Sequence, residues 1–383
     1  MSGHRKRFVP PDAVAHVAGG TAEGENELTV GRPIPPPVEL TPAGPRFAVA
    51  TAASGSTSGA SASTPTDPTA TPAAQPAPEA RAPRTAFLFP GQGAQTVGMA
   101  AALCQSLPAA NDLFVRASAV LGYDLLAVCA AGPAERLNAT DVSQPAIFVA
   151  SLAALEQLKA SDPDAPGHVF ATAGLSLGEY TALAFAGALA FEDGVRLVQA
   201  RGRAMQAAAD AAPSGMTGVL GMDLPDVDAL VREARGADTL EVANLLCPGN
   251  TVVSGALAAV ERLEQLCVDK GGIRTVRLAV AGAFHTPLMK PADEALARAL
   301  EGVPLAAPRV PVWSNVDARP HTDPAEIRAL LVRQVVAPVR WEDTLRGLFA
   351  AGADRFYEIG PGRVLAGLLK RVQRKADIRN VTA

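Results

Sequence analysis

Histidine is scarce in this chain. Of five in 383 residues, only His168, His285 and His321 lie beyond residue 84. Few side chains are therefore available as a neutral-pH base. Cysteine is scarcer still. Cys104, Cys129, Cys247 and Cys267 are scattered without metal-type spacing, and they read as reduced thiols of an intracellular protein. No uninterrupted apolar run approaches the ~20 residues that span a bilayer. The basic start, "MSGHRKRFVPPDAV", lacks the apolar stretch of a secretory signal, and acids follow at Asp12, Glu23 and Glu25. With a formal net charge of −4, neither nucleic acid nor an anionic membrane is an expected partner. A cytoplasmic enzyme is the expectation. What the chain does have is apolar content, 48%, enough for a sizeable core and one or two domains.

The first 84 residues hold 14 of the 32 prolines, with a run of almost nothing but Ala, Ser, Thr and Pro. Such a segment cannot bury enough apolar surface to offset its ordering entropy. A disordered tail over 1–84 is predicted. Within it, "ENELTVGRPIPPPVEL" reads as linker or as a short docking motif.

Order is predicted from Thr85. "TAFLF", "HVFATAG", "VPVWSN" and "RFYEIG" read as buried strands, and "EYTALAFAGAL" as a helix. Strands alternating with helices predict an α/β layer fold with a mainly parallel sheet. Between them, over 212–280, the order is β-α-β-β-α-β. That is the ferredoxin-like unit, inserted into the larger domain formed by 85–211 and 281–383.

"AGLSLGEYTALAFAGAL" places Ser176 between Gly174 and Gly178, after a strand and before a helix. This is the nucleophile-elbow pattern. The helix N-terminus favours developing negative charge, and the N–H of Leu177 is a natural oxyanion donor. The same five residues also suit an ordinary turn. A serine nucleophile needs a base. His168 opens a strand and His321 sits in a polar turn, so His285 in "VAGAFHTPLM" is the best candidate. No acidic third partner is evident, and a backbone carbonyl could orient the imidazole instead.

Arg201 falls on the apolar stripe of "FEDGVRLVQARGRAMQAA", whereas Arg196 and Arg203 point elsewhere. A buried arginine needs an anion. If the two helices after Ser176 form an antiparallel hairpin, about 15 Å out and about 14 Å back, Arg201 returns level with Ser176. It could then hold an acyl group ending in a carboxylate, or serve in a structural ion pair. "FPGQGAQ" lacks the Lys-Ser/Thr of a phosphate loop. It could supply a second oxyanion N–H or be a plain turn.

From Thr85 to about Arg371 the chain resembles malonyl-CoA:acyl-carrier-protein transacylases and the related acyltransferase domains of polyketide and fatty-acid synthases. The matching segments run in order: "FLFPGQGAQTVGM", "GLSLGEYTALAFAGAL", "RLVQARGRAMQ", "VANLLCPGNTVVSG", "GAFHTPLM", "VWSNVDA", "RQVVAPVRWEDTL" and "FYEIGPGRVLAGLLKR". The resemblance implies a hydrolase-like α/β domain with an inserted ferredoxin-like subdomain. It implies Ser176 as the nucleophile that carries malonyl, His285 as its base and Arg201 as the holder of the malonyl carboxylate. It implies oxyanion N–H groups from Gln92 and Leu177, a histidine oriented by the backbone of Gln334, and an active-site asparagine at Asn244. No metal and no cofactor are implied, since malonyl-CoA and the phosphopantetheine of acyl carrier protein are substrates. A monomer is expected, with the carrier docking on basic residues such as Lys290, Arg319, Lys370 and Arg371. Two positions depart from the pattern: Leu175 stands where a histidine is usual, and Leu246 where a second asparagine is usual. By the resemblance to the polyketide domains, Phe284 before the histidine and Leu177 after the serine favour malonyl over methylmalonyl, because a bulky ring leaves less room for a methyl branch. The alternatives are a trans-acting polyketide acyltransferase, a serine thioesterase or esterase, and a non-catalytic carrier-binding module.

Overall fold

The structure, a computed structural model, describes residues 83–383. The tail and docking piece read over 1–84 lie outside the described residues, except for the last two. Arg84 already packs, its guanidinium 4.2 Å above the Phe170 ring.

In chain order the strands are β1 (Thr85–Phe89), β2 (Val169–Gly174), β3 (Ser214–Leu220), β4 (Leu240–Cys247), β5 (Asn250–Ala256), β6 (Arg274–Arg277), β7 (Val312–Trp313), β8 (Pro320–His321), β9 (Arg355–Ile359) and β10 (Asp377–Val381). They form two sheets. A six-stranded sheet has the order β10-β9-β1-β2-β7-β8. All its pairs are parallel except β7 with β8. β1 is buried at every position, as a parallel strand covered on both faces must be. That is why "TAFLF" shows no alternation.

The second sheet is antiparallel, in the order β4-β5-β3-β6. Helices Leu224–Arg235 and Leu257–Asp269 pack on it around Val219, Leu230, Val253 and Leu263, a core of its own. It is stitched to the chain after helix Pro324–Gln334, where Leu245 and Ala243 exchange backbone bonds with Val339.

Two helices of the main domain matter for the site. Thr140–Ser161 is buried along most of its length. Phe191–Asp210 packs against it, and Gly202 permits the close approach, because a Cβ there would strike the backbone of Thr140 and Asp141. Val195, Leu197, Val198 and Met205 form its buried stripe, with Arg201 among them at 1% exposure. Arg196 and Arg203 face solvent.

Three predicted elements end early, each for a local reason. The helix after Ser176 stops at Phe185, and Gly187 follows at φ +76°. β7 covers only two residues of "VPVWSN", because the Asn315 N–H donates to Glu179 Oε2 and its carbonyl accepts from the Arg340 N–H rather than from a ladder partner. β6 covers only four residues of "IRTVRLAV". Leu278 keeps one backbone bond, to Met216 of β3, and its side chain and that of Val280 line a cleft.

Candidate active site

β2 runs directly into Ser176, and helix Gly178–Phe185 follows. Ser176 has φ +49°, a left-handed conformation that a residue with a Cβ seldom adopts. The flanking glycines explain how the turn closes. A Cβ on Gly174 would run into the backbone of Gly178, and one on Gly178 into the backbone of Phe89. Asn315 holds the turn in place. Its Oδ1 accepts from Ser176 N–H at 2.6 Å, and its amide donates to the Gly174 carbonyl at 2.7 Å.

His285 lies in a second left-handed position, φ +62°. Its Nε2 is 2.9 Å from Ser176 Oγ, and its Nδ1 is 2.8 Å from the Gln334 carbonyl. A carbonyl only accepts, so Nδ1 carries the proton and the Nε2 lone pair faces the serine. The ring is 4% exposed. Burial first, and the charge of Arg201 second, push its pKa down to about 4. The imidazole is therefore neutral and able to accept a proton at neutral pH.

Arg201 returns to the serine from the neighbouring helix. Its Nη2 donates to Ser176 Oγ at 3.0 Å and to Gln334 Oε1 at 2.9 Å, and its Nη1 donates to Gln144 Oε1 at 2.8 Å. None of these acceptors is a carboxylate, and its buried Nε has no partner. A structural ion pair with Asp or Glu is thus not what this arginine makes. It is a buried cation held by neutral groups beside a serine hydroxyl, and such a cation can take an anionic ligand.

Gln334 does more than orient the histidine. Besides accepting from Arg201, its amide nitrogen donates to the Ser176 carbonyl at 3.1 Å and to Glu179 Oε2 at 2.7 Å. Glu179 Oε2 also accepts the Asn315 N–H at 3.0 Å. This carboxyl is 2% exposed, and burial raises its pKa to about 7 against the pull of those hydrogen bonds.

The remaining expected residues border one cleft of about 240 Å³. Gln92, Leu175, Ser176, Asn244, Leu246, Phe284 and His285 all line it. Leu177 is fully buried at the head of the helix after the serine. Met205 comes from the arginine helix, and Met216 and Val252 from the antiparallel sheet, so the cleft lies between the two sheets. The other two histidines are elsewhere: His168 is exposed, and His321 faces Asp317 and Glu326. All four cysteines are buried. Among the described residues no cluster of three or more His, Cys, Asp or Glu could hold a metal ion.

Gln144, Glu179 and Asn315 were not anticipated. Each carried one weak signal, a polar residue inside or at the end of an apolar run ("SQPAIFVA", "GEYTALAF", "PVWSN"). That pattern marks a buried polar group that must be satisfied. It does not name the partner.

The acyl transferase domain family model matches residues 86–383. The malonyl CoA-acyl carrier protein transacylase of Haemophilus influenzae is 42% identical over 287 residues, 75% of this chain and 91% of the relative. The crystal structure of malonyl-CoA:acyl carrier protein transacylase from Xanthomonas oryzae pv. oryzae superposes with a TM-score of 0.75 at 42% identity, covering 79% of this chain and 95% of that one. A malonyl-transacylase solved in complex with a type II PKS acyl-carrier protein gives a TM-score of 0.74 at 39% identity, covering 78% and 96%.

Proposed function

The chain belongs to the acyl transferase domain family, and from that premise we infer that it moves malonyl from CoA to the phosphopantetheine thiol of acyl carrier protein. The carrying observation is Arg201, a buried cation without a carboxylate acceptor, 3.0 Å from Ser176 Oγ.

The reaction proceeds in two acyl transfers. His285 takes the Ser176 proton as Oγ attacks the thioester carbonyl. The oxyanion forms against the N–H groups of Leu177, at the start of the helix after the serine, and of Gln92, in the loop after β1. CoA leaves as the thiol with the proton from His285, and malonyl remains as an ester on Ser176. The carrier thiol then attacks that ester, with His285 again as base. Arg201 holds the malonyl carboxylate through both steps and so aims the carbonyl. Arg201 contacts Ser176 Oγ at 3.0 Å, which supports a carboxylate and a carbonyl one short acyl chain apart. Asn244 borders the acyl site from β4, and Phe284 crowds the α-carbon, favouring malonyl.

The element order β-α-β-β-α-β over 214–277 supports reading the antiparallel unit as a ferredoxin-like insert. The strand-serine-helix turn supports reading the main domain as hydrolase-like. Among the described residues no single helix is long and apolar enough to cross a membrane; a cytoplasmic location and a monomer are part of the proposal. Lys290, Arg319, Lys370 and Arg371 are exposed and suit an acidic carrier. A polyketide carrier is the second reading, favoured by the likeness to a transacylase solved with a type II PKS acyl-carrier protein.

Intact mass after incubation with malonyl-CoA tests the proposal. A malonyl increment is expected on the wild type, none on Ser176→Ala, and its loss is expected on adding carrier protein. An adduct that hydrolyses promptly without carrier would instead identify an esterase.

A further inference from the structure

The site buries two opposite charges that do not touch. Arg201 and Glu179 are 1% and 2% exposed. Between them stands the Gln334 amide, accepting from Arg201 at 2.9 Å and donating to Glu179 at 2.7 Å. The bonds to Asn315 and Gln334 both fall on Glu179 Oε2, and the Ser314 hydroxyl, the carboxyl's other partner, can accept as well as donate. The groups that face Glu179 carry no other charge. Ser314 and Asn315 after β7 and Gln334 at its helix end are neutral. Tyr180 beside it is a phenol with its pKa pushed up to about 12, and His285 beyond Gln334 is neutral above about pH 4. Arg201 is the one charged side chain that acts on Glu179.

We propose that Glu179 is the resting counter-charge of Arg201, and that it takes up a proton from solvent when a carboxylate-bearing acyl group binds. This rests on the transacylase reading. When the malonyl carboxylate reaches Arg201, the buried set becomes two anions and one cation. A net buried negative charge is costly, and the cheapest relief is to neutralise the carboxyl that has no direct cation. Glu179 already sits with a pKa of about 7, so a modest further rise converts it from mostly ionised to mostly protonated at pH 7.5. It acts through Gln334 and Arg201, as a positioning residue that adapts the site's charge to the substrate.

The acyl transfer itself is proton-neutral. The O–C bond forms, the C–S bond breaks, and the serine proton leaves on the CoA thiol by way of His285. Any net uptake therefore reports another group.

The experiment uses the full chain with malonyl-CoA and no carrier, in weakly buffered solution with a pH indicator. Adduct is counted by intact mass. Uptake of about half to three-quarters of a proton per malonyl-enzyme is expected at pH 7.5, falling toward zero at pH 5.5, where Glu179 is already protonated. Glu179→Gln should show almost none at either pH. A full adduct without uptake at pH 7.5 overturns the proposal, as does uptake that persists at pH 5.5 or is unchanged in Glu179→Gln. If that variant does not fold or acylate, the wild-type pH series decides. Absence of any adduct in the wild type overturns the transacylase reading instead.

Discussion

The floor and the wall of the cleft are built on opposite principles. The floor behind Ser176 is polar and almost saturated: Arg201, Gln144, Gln334, Glu179 and Asn315 hold one another and the Ser176 backbone by hydrogen bonds of 2.6–3.1 Å. The wall is apolar, with Met205, Met216, Leu246, Leu278, Val280 and Phe284. A connected buried network has one low-energy arrangement, because each broken bond strands a polar atom. An apolar wall tolerates changes of shape but offers water no partner. The floor therefore selects for charge and sets geometry, while the wall selects for size and keeps the ester dry.

The comparison breaks most visibly if the charge on the floor is removed. Arg201→Ala should lower kcat/KM for malonyl-CoA by about 10²–10³-fold, the cost of removing one partner of a buried charge pair. Acetyl-CoA, with no carboxylate, should lose far less. Steady-state kinetics on both substrates is the measurement, and equal losses would mean that Arg201 serves only the architecture. A change in the wall should alter size selection and leave charge selection alone. Phe284→Ser should improve methylmalonyl relative to malonyl by about 10-fold or more, the range for one methyl group in an apolar pocket. Competition between the two CoA esters, read by intact mass, would show it.

The smallest effect concerns stability, and it separates two groups of the floor. His285 has a folded pKa of about 4, below its ordinary 6.5, so its contribution is present above 6.5 and lost as pH falls toward 4. Glu179 has a folded pKa of about 7, above its ordinary 4.5, so its contribution is present below 4.5 and lost as pH rises through 7. Between about pH 4.5 and 6.5 the two oppose each other. Glu179→Gln should uncover the histidine, giving a Tm that falls more steeply than the wild type's as pH drops from 6.5 to 4.5. Parallel thermal-unfolding curves would mean that the two do not offset each other.

The main strands were legible because they needed only local pattern. "TAFLF" and "RFYEIG" are short apolar runs between turn residues, and they are strands. The elbow was legible because two glycines bracket a serine; the close approach at Gly174 is to Gly178, four residues on, although the one at Gly178 is to Phe89 on another strand. Arg201 stood out because a charge on an apolar stripe breaks the helical period. The early end of β7 was not legible. It depends on the Asn315 N–H reaching back 136 residues to Glu179, and no local propensity records such a contact. Gln144, Glu179 and Asn315 escaped for the same reason: a buried amide or carboxyl takes its meaning from partners that arrive from other elements.

By itself, then, the sequence determined which residue types stand at which periodic positions: the strands, the serine turn, the histidine among small residues and the arginine facing inward. Those are properties of short segments, set by backbone sterics and hydrophobic period. Only the tertiary structure decided that the histidine's Nδ1 meets a carbonyl rather than a carboxylate, and that Arg201 keeps neutral neighbours. It alone placed the Gln334 amide between the two buried charges. Those outcomes depend on distances between elements far apart in the chain, and it is distance, with the exclusion of water, that sets the strength of a buried charge.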